Sequence, residues 1–406
     1  MRTIIGSILL VAAFVHTSAQ KDEDFKYQRG SLCMMMVECP TLEYNNEIEQ
    51  VFAKMEIPSR FNSHDMGVRF IRFANDNDQQ GNITVFAQEN QLAKRFVSKW
   101  FGRNKKTGAF NTELVKERGH YNATKIDVKA ALSQARGKAI LEDMGENLIA
   151  HTYWVVNDIR YVNQGNFFKS LKDAANLAVS SADAISKKSG KPLEKAFSSS
   201  ASKGLDILDD IKGFKVKITS YLYRLKWNEE IANTFYTQYY TEDPAEDAQK
   251  VDAFKRDNQL FTLEYVGSVT NTSSKTSVSG VTTNEMMIQK VCTRALDKNI
   301  ADLQHDFADF RIKAPLVSVS PLKAYVGMKE DITEKSRYEV LEVVTDQNGK
   351  NTFKRVGIIK PIANKIWDNR FMADLEDTTD ASLDATYFEK VSGQDFYQGM
   401  LIREIK

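Results

Sequence analysis

The chain has little cysteine, proline or glycine: three, seven and 20 residues among 406. Three cysteines cannot build a disulfide framework for a chain this long, since at most one bridge can form and one thiol is left over. The low proline and glycine content excludes fibrous and low-complexity classes. Long apolar runs are also missing. The longest, Ile4 to Val15, is well short of the roughly 20 residues that a spanning helix needs, so no membrane span is expected. A charge surplus is lacking too, with 55 basic against 54 acidic residues and a formal net charge of +1. A nucleic-acid binder normally carries a basic excess on one face, so nucleic acid is not an expected partner. Finally, the sequence contains no G-x-S-x-G, H-E-x-x-H, G-x-x-x-x-G-K-[ST], G-x-G-x-x-G or C-x-x-C, the spacings that common hydrolytic, nucleotide-binding and redox chemistries impose. No cofactor is implied, and the expectation leans away from an enzyme.

What is present begins with an address. Arg2 precedes the apolar run Ile4 to Val15, and small residues follow up to Ala19. A charged start, an apolar middle and a small-residue cleavage site read as a secretory signal peptide over residues 1–19. Arg2 is the one charged residue removed, so the remainder carries 54 basic and 54 acidic residues. No cysteine follows the cleavage site to take a lipid. An exported, unanchored protein is expected, periplasmic or peripheral to the outer membrane.

The stretch S-L-C-M-M-M-V-E-C-P, Ser31 to Pro40, places three methionines between two cysteines. As a strand it puts Cys33, Met35, Val37 and Cys39 on one side and Met34 and Met36 on the other, with the cysteines about 20 Å apart, too far to bridge. Soft-metal capture would need more ligands on one face. Methionine fills gaps in cores, so a strand buried on both sides is expected.

Further along, Tyr44, Ile48, Val51, Phe52 and Met55 have helical spacing, as do Leu92, Phe96, Val97, Trp100 and Phe101. Between them, 67–74 and 83–87 read as strands of a hairpin around a polar turn. In that turn Asp76, Asp78, Gln80 and Gly81 match half of a calcium loop, but Ala87 stands where the bidentate Glu belongs. Thr124 with Asp127 opens a helix ending near Gly145, followed by a strand over 148–161. Residues 165–212 turn rich in Ala, Ser and Lys and read as a helical hairpin.

From Phe214 to Trp227 the apolar residues occupy even positions and then odd ones, a phase change that a bulge would produce. Asp243-Pro244 reads as a helix start, 260–270 as a strand, and 286–307 as a helix after a second capping box. From Pro315 onward short strands and an Asn348-Gly349 turn suggest a small barrel. The expected fold is α+β: layered α/β units over 20–163 and 214–312, a helical hairpin inserted at 164–213, and a small C-terminal β-barrel over 313–406.

Two patterns carry possible chemistry. Asp302, His305, Asp306 and Asp309 fall at i, i+3, i+4 and i+7 on one helical face and could hold zinc or manganese, as in a metal-dependent hydrolase. The plainer reading is the wet side of an amphipathic helix whose Leu303, Phe307 and Phe310 are buried. Trp367, Asp368, Arg370 and Phe371 form a candidate partner-binding patch, because Trp and Arg dominate binding hot spots. Against that, Trp367 could plug the barrel while its neighbours make a turn.

Arg136 to Ile159, R-G-K-A-I-L-E-D-M-G-E-N-L-I-A-H-T-Y-W-V-V-N-D-I, with the later strand-helix units, resembles the periplasmic α/β domains of the curli secretion-channel family and of flagellar-assembly periplasmic proteins. Val356 to Phe371, with G-M-L-I-R-E from Gly399 to Glu404, resembles the SH3-like barrel that closes such proteins. The resemblance implies an envelope assembly or scaffold component whose partners are envelope proteins or further copies of itself. The chain departs from the channel pattern in lacking a lipidated cysteine, and in reading as helices where membrane-inserting hairpins would be, so no pore is expected. A glycan- or peptide-binding role for the barrel is the other non-catalytic reading.

Overall fold

A computed structural model describes residues 30–58, 60–73, 78–122, 147–162, 211–278, 284–311, 313–345, 351–373 and 383–405. Residues 1–19, the helix expected from Thr124, nearly all of the 164–213 insertion and the Asn348-Gly349 turn lie outside these.

The methionine stretch forms β1, Ser31–Val37, whose side chains are buried on both faces. Cys33, Met35 and Val37 enter one apolar cluster with Trp154, Phe96 and Trp100, while Met36 enters another with Phe52 and Leu296. All three cysteines are buried and no disulfide joins them. Burial pushes the thiols of Cys33 and Cys292 up to about 12, which keeps them protonated and poor as metal ligands.

Strand β1 pairs in parallel with β4, Thr152–Tyr161, in the register Ser31 with Thr152 to Met36 with Asn157. Strand β4 pairs antiparallel with β5, Ile211–Leu225, which in turn pairs with β6, Leu263–Val278. Two short strands, β2 (Asn62–Ser63) and β3 (Phe70–Ile71), finish the other side of β1. The two α/β units expected on either side of the insertion therefore share one sheet, ordered β2-β1-β4-β5-β6 with β3 beside β1. Strand β5 also starts at Ile211, inside the segment assigned to the insertion.

Helix α1, Asn45–Lys54, covers one face of this sheet together with the long helix described below. The other face is covered by α2 (Gln79–Glu89), α3 (Leu92–Trp100) and α4 (Glu113–Asn122). Helix α2 replaces the strand expected at 83–87. Asp78, which the calcium-loop reading treats as a ligand, is its N-cap: the carboxylate accepts a 2.9 Å hydrogen bond from the Gly81 backbone N–H. An acidic side chain there satisfies an orphan amide and faces the positive end of the helix. Helix α5, Glu229–Thr234, runs into a π turn at Phe235–Tyr239, and α6, Ala248–Arg256, follows. Asp243-Pro244 precedes α6 as a turn instead of starting it, with Asp243 Oδ1 accepting from the Ala245 amide.

The phase change along β5 has a different cause from the one the sequence suggests. Phe214, Val216, Ile218 and Leu222 stay on one face while Tyr221, Tyr223 and Leu225 lie on the other, so parity never switches. What changes is the cover: Lys217, ahead of these odd-numbered aromatics, is exposed, and beyond it the helices pack on. A register shift does occur between Leu222 and Tyr223, with Val266 of β6 as the extra residue.

Helix α7, Asn284–Asp306, is the longest described element. Met287, Val291, Ala295 and Leu296 press onto the sheet, and Ile300 and Leu303 continue the stripe. A run of buried amides pins it there. Asn157 Nδ2 donates to the Met35 carbonyl, Ser220 Oγ donates to Asn157 Oδ1, and Asn299 Nδ2 donates to Ser220 Oγ at 2.8 Å and to the Ile218 carbonyl at 3.1 Å. A sliding helix or strand would strand these groups without partners, which costs more than the bonds gain, so the chain of amides fixes register.

The C-terminal strands close on themselves. Strands β7 (Ala314–Val319), β8 (Leu322–Ala324), β9 (Tyr338–Thr345), β10 (Asn351–Pro361), β11 (Thr386–Gly393) and β12 (Leu401–Glu404) form a barrel in the order β10-β11-β8-β7-β12-β9. Its interior holds Leu316, Ala324, Val340, Ile359, Phe388 and Ile402. No described helix is long and apolar enough to cross a membrane.

Candidate functional site

Where the barrel docks on α7, the contact is made by charges. Helix α7 has already spent its apolar stripe on the sheet, so the face it turns outward carries Lys290, Arg294, Asp297 and Lys298. Lys329 of the 3-10 turn Met328–Glu330 reaches Asp297 Oδ1 at 3.2 Å, and Lys298 Nζ donates to Asp331 at 2.9 Å. Arg294 Nε donates to the Phe371 carbonyl at 2.9 Å and Lys290 Nζ to the Met372 carbonyl at 3.3 Å. Arg60, just before β2, adds an ion pair to Glu330 at 3.2 Å and a hydrogen bond to the Tyr325 carbonyl at 2.7 Å.

Between these anchors lies a cleft of about 770 Å³, a size typical of small-ligand sites. Its floor includes Asp297 and Lys298 of α7. One wall is Met328, Asp331 and Ile332, and the other is Asn364, Ile366, Asp368 and Arg370. Four cations and four carboxylates line it: Arg294, Lys298, Lys329 and Arg370 against Asp297, Asp331, Glu334 and Asp368.

Asp297 is only 9% exposed. Burial raises its pKa above the ordinary carboxylate range, opposed by Lys329. Its Oδ2 has no hydrogen-bond partner among the described residues, a costly condition for a buried carboxylate oxygen. Asp368 is shifted the opposite way, because the Arg370 guanidinium grips it at 2.8 and 2.6 Å. For Lys298, burial alone would lower the pKa, but its hydrogen bonds to Asp302 and Asp331 win and raise it.

The expected partner-binding patch is thus divided. Asp368 and Arg370 line the cleft, whereas Trp367 and Phe371 act through their backbones: the Trp367 carbonyl accepts from the Met328 amide at 2.9 Å and its amide donates to Thr386 Oγ1 at 3.0 Å. Ile366, not Trp367, packs against the barrel core. Gly327 is required here, since a Cβ would run into the Trp367 carbonyl and the Asn369 side chain.

The expected metal face does not assemble. Asp302 accepts from Asn271 Nδ2 and from Lys298 Nζ, each at 2.6 Å. Asp309 lies past the end of α7, paired with Arg224 at 2.5 Å, and His305 and Asp306 are half exposed with 3.4 Å between them. Helix α7 stops at Asp306, and Phe307 is extended, so the i+7 position leaves the helical face. Among the described residues no group of three or more His, Cys, Asp or Glu could hold a metal ion.

Sequence reasoning also missed a buried polar cluster at the start of β1. Arg118 of α4 donates to Ser31 Oγ at 2.6 Å, to the Ser63 carbonyl at 2.9 Å and to His64 Nδ1 at 3.0 Å, and stacks on Trp100 at 4.4 Å. His64 Nε2 donates to the Phe96 carbonyl at 3.2 Å. Burial, with Arg118 and Lys99 nearby, drives the His64 pKa well down, so the ring is neutral. Burial likewise lowers Arg118, to about 10, still a cation at neutral pH. Ser31 and His64 are both 0% exposed, so no substrate reaches them and the cluster serves the core.

No family model matches the chain, and no curated protein matches it.

Proposed function

We propose that this is an exported, non-catalytic binding protein of the Gram-negative cell envelope that works through the cleft between α7 and the barrel. The observation that carries the reading is the wide cleft itself, most of whose charges are already paired, with the buried Asp297 among the residues of its floor. Such a wall suits recognition, because a preorganised surface loses little on binding. It suits catalysis poorly, since the candidate metal residues are engaged separately in ion pairs and hydrogen bonds. The apolar N-terminal run and the resemblance to curli secretion-channel and flagellar-assembly periplasmic proteins support the compartment. On this reading the closed barrel is of the SH3-like kind, and it presents one wall of the cleft to envelope proteins or other envelope components.

The test is fractionation and capture in a Gram-negative host. The processed chain should be recovered from the periplasm, and a crosslinker placed at Met328, exposed on the cleft wall, should capture envelope components that a Glu334→Trp block loses. Uncut chain in the cytosol, or the same capture with the cleft blocked, would refute the proposal.

A further inference from the structure

We infer that the chain pairs with a second copy of itself through the outer edge of β6, antiparallel and about a two-fold axis at Thr270. This does not depend on the cleft. Strand β6 is the last of the central sheet, and among the described residues it pairs with β5 alone. The sheet's other side finishes in β2 and β3, of two residues each, and the barrel strands close into a ring, so β6 is the one long edge that the described strands leave open. One face of it is covered. Asn271 donates to Asn299 and Asp302 of α7, and the Phe307 ring sits where a Cβ on Gly267 would be. The other face is polar, with Tyr265, Ser268, Thr270, Thr272 and Ser274 exposed.

Edges are kept from pairing by short length, charges, prolines or bulges. Strand β6 runs for 16 residues, and from Tyr265 to Ser274 it holds no charged residue and no proline. Its bulge at Val266 lies near one end, which leaves the middle unprotected. The strand's two charged residues, Glu264 and Lys275, select the partner and the register. They stand opposite Arg224 and Phe214 of β5, positions of one parity, and so belong to one face. With Val266 counted out as the bulged residue, each lies five ladder positions from Thr270. An antiparallel copy centred on Thr270 therefore sets Glu264 of each chain opposite position 275 of the other, an acidic residue against a basic one at both ends. On the exposed face the same register sets Thr270 against itself and Ser268 against Thr272, hydroxyl pairs that favour cross-strand contact. A foreign strand would need the same two charges at the same spacing, which a second copy has by symmetry. An edge of about ten residues, roughly 33 Å long, makes a small interface, so a Kd of about 1 to 100 μM is expected.

Analytical ultracentrifugation of the purified processed chain across that concentration range tests this, and a reversible equilibrium between monomer and dimer is expected. Thr270→Lys and Thr270→Glu each set like charges face to face on the axis and should weaken the dimer about 10-fold or more, while an equal mixture of the two variants should recover it. Thr270→Cys should give a disulfide-linked dimer under mild oxidation, because opposed Cα atoms of antiparallel strands lie about 4.5 to 5.5 Å apart, within bridging distance. The three native cysteines are buried and do not compete. This small substitution keeps the test valid if the charged variants fold poorly. A monomer at every concentration, a dimer that both charged variants leave intact, or no bridge through position 270 overturns the inference.

Discussion

Replacing Asn299 by Ala removes the link that joins α7 to the central sheet. Its amide nitrogen donates to Ser220 Oγ at 2.8 Å and to the Ile218 carbonyl at 3.1 Å, and its oxygen accepts from Asn271 Nδ2 at 2.8 Å. Each such bond contributes about 1 kcal/mol net, so about 3 kcal/mol is at stake. The residual groups soften the loss, because Ser220 still donates to Asn157 and Asn271 still donates to Asp302. A destabilisation of about 2 to 3 kcal/mol is expected in urea unfolding of the full chain, with the slope unchanged. Ser220→Ala alone should cost about 1 to 2 kcal/mol. Because the two residues share a bond, the double variant should fall short of the sum by at least about 0.5 kcal/mol. Additivity within that margin would refute the idea that the amides act as one network.

Below about pH 6.5 the unfolded chain protonates its imidazoles, but buried His64, with its pKa depressed in the fold, does not take up the proton. The native state is therefore at full strength above that pH and weakens as pH falls, by up to about 1.4 kcal/mol per unit until the folded pKa is reached. His64→Gln should flatten this slope in unfolding curves from pH 7.5 to 5.5, and an unchanged slope would count against the assignment. Gly327→Ala forces a Cβ against the Trp367 carbonyl and should destabilise the barrel docking by about 1 to 3 kcal/mol, the range for overpacking; wild-type urea stability would contradict it. His305→Ala, at an exposed position on α7, should change stability by no more than about 0.5 kcal/mol and leave metal content by elemental analysis as it was.

Period and composition carried much of the fold into view. A short continuous apolar run revealed β1, buried on both faces, and helical spacing revealed α1, α3 and α7, because in each helix a covered face dictates the pattern. Misreadings came where one local signal has two physical causes. Asp78 with Gly81 fits both a cation loop and a helix cap, and only the packing of Ile83 and Ala87 into the core decides for the cap. The even-to-odd shift in β5 fits both a bulge and a change of cover, and the sequence of one strand says nothing of the layers above it. The shared sheet was hidden for a related reason: β4 and β5 are about 50 positions apart, and their pairing is a long-range fact. At the site, Asp368 and Arg370 could be picked out by type, but Asp297 could not. Its significance comes from burial against a distant 3-10 turn, and no motif surrounds it.

The cleft itself follows from how α7 is patterned. A helix that spends its apolar stripe on a sheet has only polar positions left for a second neighbour. When the barrel packs on that polar side, the approach is limited by the length of Lys298, Lys329 and Arg294 and by the cost of stripping water from them. The docking is therefore held at points, by ion pairs and by bonds to the carbonyls of residues 371 and 372, and space remains between the points. An apolar outer face on α7 would have drawn the barrel into close contact and filled that space. The same charges that keep the two bodies from fusing are those that line the opening, so the architecture and the candidate site have one cause.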